Sequence, residues 1–71
     1  KTIRILEPSV GIGNFLPLLF KKYENIQNVI LDIIDIDNDS LNTLQVLLTK
    51  TKIPNNFTIN YIHTDFLLWK N

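Results

Sequence analysis

The stretch Ile5-Leu6-Glu7-Pro8-Ser9-Val10-Gly11-Ile12-Gly13-Asn14-Phe15 decides the fold. It reads as a strand ending in a carboxylate, a turn built on two glycines, and the start of a helix, the order from which parallel α/β sheets build a nucleotide-cofactor pocket. The two glycines let backbone approach a ligand closely. Gly-x-Gly by itself is common in turns, and Leu16 stands where a dinucleotide fingerprint has its third glycine. The flanking strand, the helix and Glu7 give the turn its meaning. Glu7 occupies the strand tip, where a dinucleotide would put its pyrophosphate, and like charges repel there. A ligand presenting an ammonium would instead gain a charge-assisted hydrogen bond.

Working outward, Ile3 to Leu6 is short, apolar and β-branched, which predicts a buried first strand. The spacing of Phe15, Leu18, Leu19 and Tyr23 predicts a helix after the glycines, with Asn14 as its cap, Pro17 in its first turn, and Lys21 and Lys22 at its C-terminal end. Val29 to Ile36 is nearly continuous in branched apolar residues, as in strands covered on both faces, with Asp32 interrupting it. Asn38, Asp39 and Ser40 supply N-cap chemistry for a second helix that carries Leu41, Leu44 and Leu48 on one stripe, widened by Leu47, and ends near Lys50. After a loop at Pro54-Asn55-Asn56, Phe57 to Ile62 alternates apolar with polar, which predicts an edge strand. The fold class is therefore α/β, in the order β-α-β-α-β, the first half of a doubly wound, Rossmann-like parallel sheet.

The chain has 71 residues, enough for one small domain that buries about 60% of its unfolded surface. Its 45% hydrophobic and 20% charged content argues for a core and against disorder. There are no cysteines, so disulfide stapling and thiolate metal sites are excluded, and an intracellular, cytoplasmic setting is the default expectation. No apolar run reaches the ~20 residues that span a bilayer, and Lys1-Thr2-Ile3-Arg4 lacks a signal-peptide core, so membrane insertion is not expected. Seven basic residues balance seven acidic ones, leaving no net field to draw nucleic acid to this segment. Lys1 starts just before a strand and Asn71 follows an apolar stretch, so residues 1–71 read as a partial cofactor-binding domain, a fragment of a larger catalytic domain.

Charge at Glu7 favours S-adenosylmethionine, which carries an ammonium on its methionine end, over a dinucleotide. Asp35 lies about twenty positions after Gly13, the spacing at which a carboxylate sits beside a ribose and accepts from both hydroxyls. Asp37 competes for that role but stands nearer the second helix, whose N-terminus it would stabilise. Asp32, an odd number of residues from Asp35, points to the other face, where a solvated or locally bonded carboxylate is expected. Asp65 and Phe66 follow the third strand, and an acceptor beside a flat ring suits an adenine; a turn aspartate and a core phenylalanine are the alternative. His63, the one histidine, has no partner for a metal site and is expected to be a partly buried structural residue. Trp69 is expected in the core or on a contact surface. No nucleophile has a base beside it, and no catalytic residue or metal ligand is expected.

Glu7-Pro8-Ser9-Val10-Gly11-Ile12-Gly13-Asn14-Phe15 resembles the first motif of S-adenosylmethionine-dependent DNA adenine methyltransferases of restriction-modification systems. Ile34-Asp35-Ile36-Asp37 with Ser40-Leu41 is similar to their second motif, and Asp65-Phe66 to their third. The resemblance spans almost the whole chain and implies a class I methyltransferase sheet. It implies that Glu7, Pro8 and the backbone from Ser9 through Gly11 to Gly13 hold the methionine moiety, with Phe15 alongside. It further implies that Asp35 binds the ribose, that Ile36 and Phe66 enclose the adenine, and that Asp65 bonds its amino group. The family's catalytic tetrapeptide, asparagine or aspartate followed by two prolines and an aromatic, is absent after Asp65, and so is a target-recognition region. DNA would therefore be engaged by other parts of the protein. The expected activity is methylation of the N6 amino group of adenine in DNA; RNA or protein methylation, or a non-catalytic Rossmann-like module, are the alternatives.

Overall fold

A computed structural model describes residues 1–9 and 12–65. Five elements alternate along the chain: β1 (Thr2–Pro8), α1 (Ile12–Lys22), β2 (Asn28–Asp35), α2 (Asn38–Thr49) and β3 (Phe57–His63). The strands form one parallel sheet in the order β1-β2-β3. Parallel neighbours need a long crossover, and each helix supplies one. The chain is thus α/β with an open three-stranded parallel sheet, as the hydrophobic pattern predicts. No helix among the described residues is long and apolar enough to cross a membrane.

β2 is central, and Val29, Leu31, Ile33 and Ile34 are all buried, which explains its run of branched side chains on either side of Asp32. The strand stops at Asp35, one residue short of expectation. The Asp35 carboxylate there accepts the backbone N–H of Asp37, an Asx turn that swings the chain out of the sheet and leaves Ile36 67% exposed. β3 lies at an edge, as its alternating pattern predicts.

Both helices cover one face of the sheet. Leu31 and Ile33 pack with Ile12 and Leu16 of α1 and with Leu41, Leu44 and Leu48 of α2, while Ile5, Ile59 and Tyr61 of the strands, with Leu19 and Phe20, close around this core. Phe20 meets Phe57 edge to face, with ring centroids 4.8 Å apart. The side-chain amide of Asn56 donates to the carbonyls of Tyr23 and Ile26, tying the loop before β3 to the end of the first crossover.

Several details of the helices differ from expectation. α1 begins at Ile12, so Asn14 lies inside the helix instead of capping it, and Pro17 falls in the second turn, where its missing N–H cannot reach the carbonyl of Gly13. With Ile12 included, the stripe facing the sheet runs through Ile12, Leu16, Leu19 and Phe20, while Phe15 and Leu18 are 57% and 65% exposed. In α2 the cap is Asp37, whose carboxylate accepts the backbone N–H of Asp39 and the hydroxyl of Ser40. Asn38, Asp39 and Ser40 occupy the first turn instead. The C-cap is Lys50, as expected, but Leu47 stands outside the buried stripe and is 54% exposed.

The opposite face of the sheet presents Arg4 and Leu6 of β1, Ile30, Asp32 and Ile34 of β2, and Thr58, Asn60 and Ile62 of β3. Asp32 does point away from the Asp35 face, but it is 1% exposed, so the solvated alternative is corrected. Arg4 Nε donates to its Oδ2 at 2.6 Å and Asn60 Nδ2 to its Oδ1 at 2.9 Å, joining all three strands. Burial pushes the Asp32 carboxyl up; the hydrogen bonds from Arg4 and Asn60, with the Arg4 charge, outweigh it and hold the group below the usual aspartate range.

Replacing Asp32 with alanine leaves Asn60 and Arg4 without their acceptor and unties the strands. The expected cost is about 2 kcal/mol of unfolding free energy, read from urea denaturation; a loss below about 0.5 kcal/mol, the size of an ordinary surface substitution, contradicts this role.

Candidate cofactor site

Ligands of parallel sheets bind outside the carboxyl ends of the strands. At that edge the Cα register sets Pro8 of β1 beside Ile34, and Asp35 beside His63 of β3. Glu7, Asp35 and His63 occupy alternate, odd-numbered positions, so all three lie on the helix-bearing side of the sheet.

Asp35 organises the edge. Its Oδ2 accepts the Ser9 hydroxyl from the connection after β1, and its Oδ1 accepts the Asp37 N–H at 2.8 Å. Its backbone carbonyl accepts the N–H of Thr64, the residue after β3, at 2.9 Å. The Ser9 N–H in turn donates to the carbonyl of Ile34 at 2.9 Å, carrying the β1–β2 ladder one residue past Pro8. The ends of all three strands are therefore held through one residue. The Ser9 hydroxyl, then the Asp37 N–H, lowers the Asp35 carboxyl below its ordinary value; burial opposes this, and the Ile36 N–H and the His63 charge add to it. Asp35 is thus a carboxylate at neutral pH, an acceptor with about four lone-pair sites, of which these bonds leave part unused.

Asp37, the competing carboxylate, has a structural task of its own. Its carboxylate is taken up by the first turn of α2. Ile36 between them is exposed, with its backbone fixed from β3: His63 Nε2 lies 2.8 Å from the Ile36 carbonyl. His63 is itself exposed, not partly buried as expected.

Glu7 is half-buried at the end of β1 and has no hydrogen-bond or ion-pair partner among the described residues. It lines a groove of about 320 Å³ with Phe15, Leu18, Leu19 and Lys22. The structure therefore brings Glu7 and Phe15 together, and the exposure of Phe15 follows from the phase of α1. Lys22, at the far end of this groove, lies two turns beyond Phe15, about 10 Å along the helix, and its ammonium stands over the Tyr23 ring.

Gly13 opens on a different side. It borders a hollow shared with Asp39, Ser40, Thr43 and Leu44 at the start of α2, and a Cβ built on it would meet nothing within 4 Å. Neither packing nor a left-handed backbone requires a glycine there, so the fold alone gives no reason for it. Pro8 is exposed at the strand end, and Asp65, two residues past β3, is half-buried. Gly11, Phe66 and Trp69 lie outside the described residues. No group of three or more His, Asp or Glu residues among the described ones is placed to hold a metal ion.

The role of His63 and the full network around Asp35 escaped sequence reasoning. The signal that points to them is parity along the strands, visible once the register is known. Comparison with known proteins adds nothing to the geometry: no family model, no curated protein and no solved structure matches this chain.

Because the folded-state value of Asp35 lies below its unfolded value, the stabilisation it contributes is complete above the ordinary aspartate range, near pH 4, and is lost as pH falls through the depressed value. Urea denaturation from pH 7 down to pH 2 is expected to show a shallower acid limb for Asp35→Asn than for the wild type. Parallel limbs would contradict the Ser9–Asp35–Asp37 network.

Proposed function

We propose that this chain binds S-adenosylmethionine, as the cofactor-binding portion of a class I methyltransferase that methylates the N6 amino group of adenine in DNA. The observation that carries the reading is the pair of carboxylates at the carboxyl edge. Glu7, unpartnered among the described residues, and the ionised Asp35 lie on the same side of neighbouring strands. A pyrophosphate brought to this edge meets negative charge, whereas an ammonium near Glu7 and two ribose hydroxyls near Asp35 meet acceptors. These acceptors therefore fit S-adenosylmethionine better than a dinucleotide.

In this reading Glu7 receives the ammonium, with Phe15 beside it covering the methionine chain. Ser9 holds the Asp35 carboxylate in place, and the oxygens of Asp35 accept from the ribose hydroxyls through their remaining lone pairs. Ile36 offers an exposed apolar face to one side of the adenine, and Asp65 takes the adenine amino hydrogen. When bound, S-adenosylmethionine supplies a methyl group on a positively charged sulfur, open to attack by an amino nitrogen. The residues of this chain hold the donor; a base flipped from the duplex would be aligned by other parts of the enzyme, and orientation would supply most of the rate. The DNA and adenine assignment is supported by the likeness of Glu7 to Phe15 to the first motif of adenine methyltransferases.

Calorimetric titration of the intact protein tests the reading. Saturable binding of S-adenosylmethionine is expected, with none of NAD, and Asp35→Ala and Glu7→Gln should each weaken it at least tenfold. Binding of NAD, or no dependence on either carboxylate, overturns it. Gly13→Ala offers a separate check: alanine should raise stability by up to about 1 kcal/mol, since it suits a helix better and meets no neighbour. If the cofactor approaches the glycine backbone, the same variant should bind S-adenosylmethionine more weakly. Gains in both properties would remove Gly13 from the site.

A further inference from the structure

We infer that His63 is a positioning residue that sets the height of the Ile36 platform and so the affinity for the adenosine half of the cofactor; the inference rests on the methyl-donor reading above. The connection between β2 and α2 is held from three directions. From below, the Asp35 carbonyl accepts the Thr64 N–H at 2.9 Å. From inside the turn, the Asp37 N–H returns to Asp35 Oδ1 at 2.8 Å, and the Asp37 side chain is fixed by the first turn of α2. Between these anchors one backbone acceptor, the carbonyl of Ile36, lies beyond the reach of the β2–β3 ladder, which ends at the Asp35–His63 pair. The His63 side chain meets it at 2.8 Å.

A carbonyl oxygen only accepts, so Nε2 must carry the hydrogen. That restricts the neutral ring to the Nε2–H tautomer. The bond serves no purpose in the core: His63 and Ile36 are both exposed, and the helix cap is complete without them. What it fixes is the peptide plane of an exposed isoleucine at the edge where a ligand would lie. A loose backbone there would lose conformational freedom when a ligand lay against it, and a backbone already held by the bond loses less.

The variants are His63→Phe, which keeps a ring and removes the donor, and His63→Gln, whose amide donates from a similar reach. His63→Phe is expected to weaken both S-adenosylmethionine and adenosine by the same factor, about five- to tenfold, the worth of one hydrogen bond. It should leave the affinity for methionine unchanged. His63→Gln should restore most of the lost affinity. Equal binding of S-adenosylmethionine by wild type and His63→Phe, or failure of glutamine to rescue, overturns the inference while leaving the methyl-donor reading intact. Absence of S-adenosylmethionine binding by the wild type overturns both. Nitrogen NMR of the wild-type ring near neutral pH gives a readout that needs no variant: the Nε2–H tautomer is expected, and the Nδ1–H tautomer contradicts the bond.

Discussion

One residue, Asp35, joins the three strand ends of this protein through its carboxylate and its backbone carbonyl. Asp35 receives the Ser9 hydroxyl from the β1–α1 connection and the Asp37 amide from its own turn, and its carbonyl receives Thr64 from the end of β3. Parallel strands have no hairpins to hold their ends in register, so the carboxyl edge of such a sheet depends on bonds made by the connections themselves. Here those bonds converge on a residue that ends the central strand. The carboxyl of Asp35 is held below its ordinary value by the first two of these contacts, the Ser9 hydroxyl and then the Asp37 amide, because each donates to the charged form. Structure and charge at this edge are therefore one property, and a ligand that uses Asp35 meets an acceptor already held in place.

A second carboxylate, Asp32, ties the same strands on the opposite face, with different partners and a different consequence. Arg4 and Asn60 both reach it across the sheet, and its burial leaves nothing for a ligand. Two aspartates three positions apart on one strand thus take opposite roles because the pleat sends them to opposite faces. One is consumed by the fold. The other keeps part of its acceptor capacity at the edge.

Much of the architecture was legible in the sequence. The branched apolar run from Val29 marks the buried central strand, although both helices lie on one of its faces, and Leu41, Leu44 and Leu48 mark a helix by their spacing alone, since burial of a whole stripe leaves a local trace. The phase of α1 was less legible. Gly13 and Pro17 are poor helix formers, so the pattern suggests a helix beginning after the glycines, whereas the buried stripe starts at Ile12. The cap of α2 was ambiguous because Asp37, Asn38, Asp39 and Ser40 all carry capping side chains; the Asx turn at Asp35 decides among them by fixing where the strand stops. The Arg4–Asp32–Asn60 group and the His63–Ile36 bond join residues far apart in the chain, and only the register brings them together. Glu7 and Asp35 could be assigned to the sheet edge from the sequence because strand ends carry local signals; that Asp35 also clamps the edge could not.

That dual role poses the sharpest question about the site, since a clamp and an acceptor both weaken ligand binding when removed. A double-mutant cycle between protein and ligand separates them. Affinities of the wild type and Asp35→Asn are measured for S-adenosylmethionine and for its analogue lacking both ribose hydroxyls. If Asp35 accepts from the ribose, the wild type should prefer the natural cofactor by at least tenfold and the variant should show almost no preference. An undiminished preference in the variant would mean that Asp35 only holds the strand ends together, and the account of this edge as a methyl-donor site would fail.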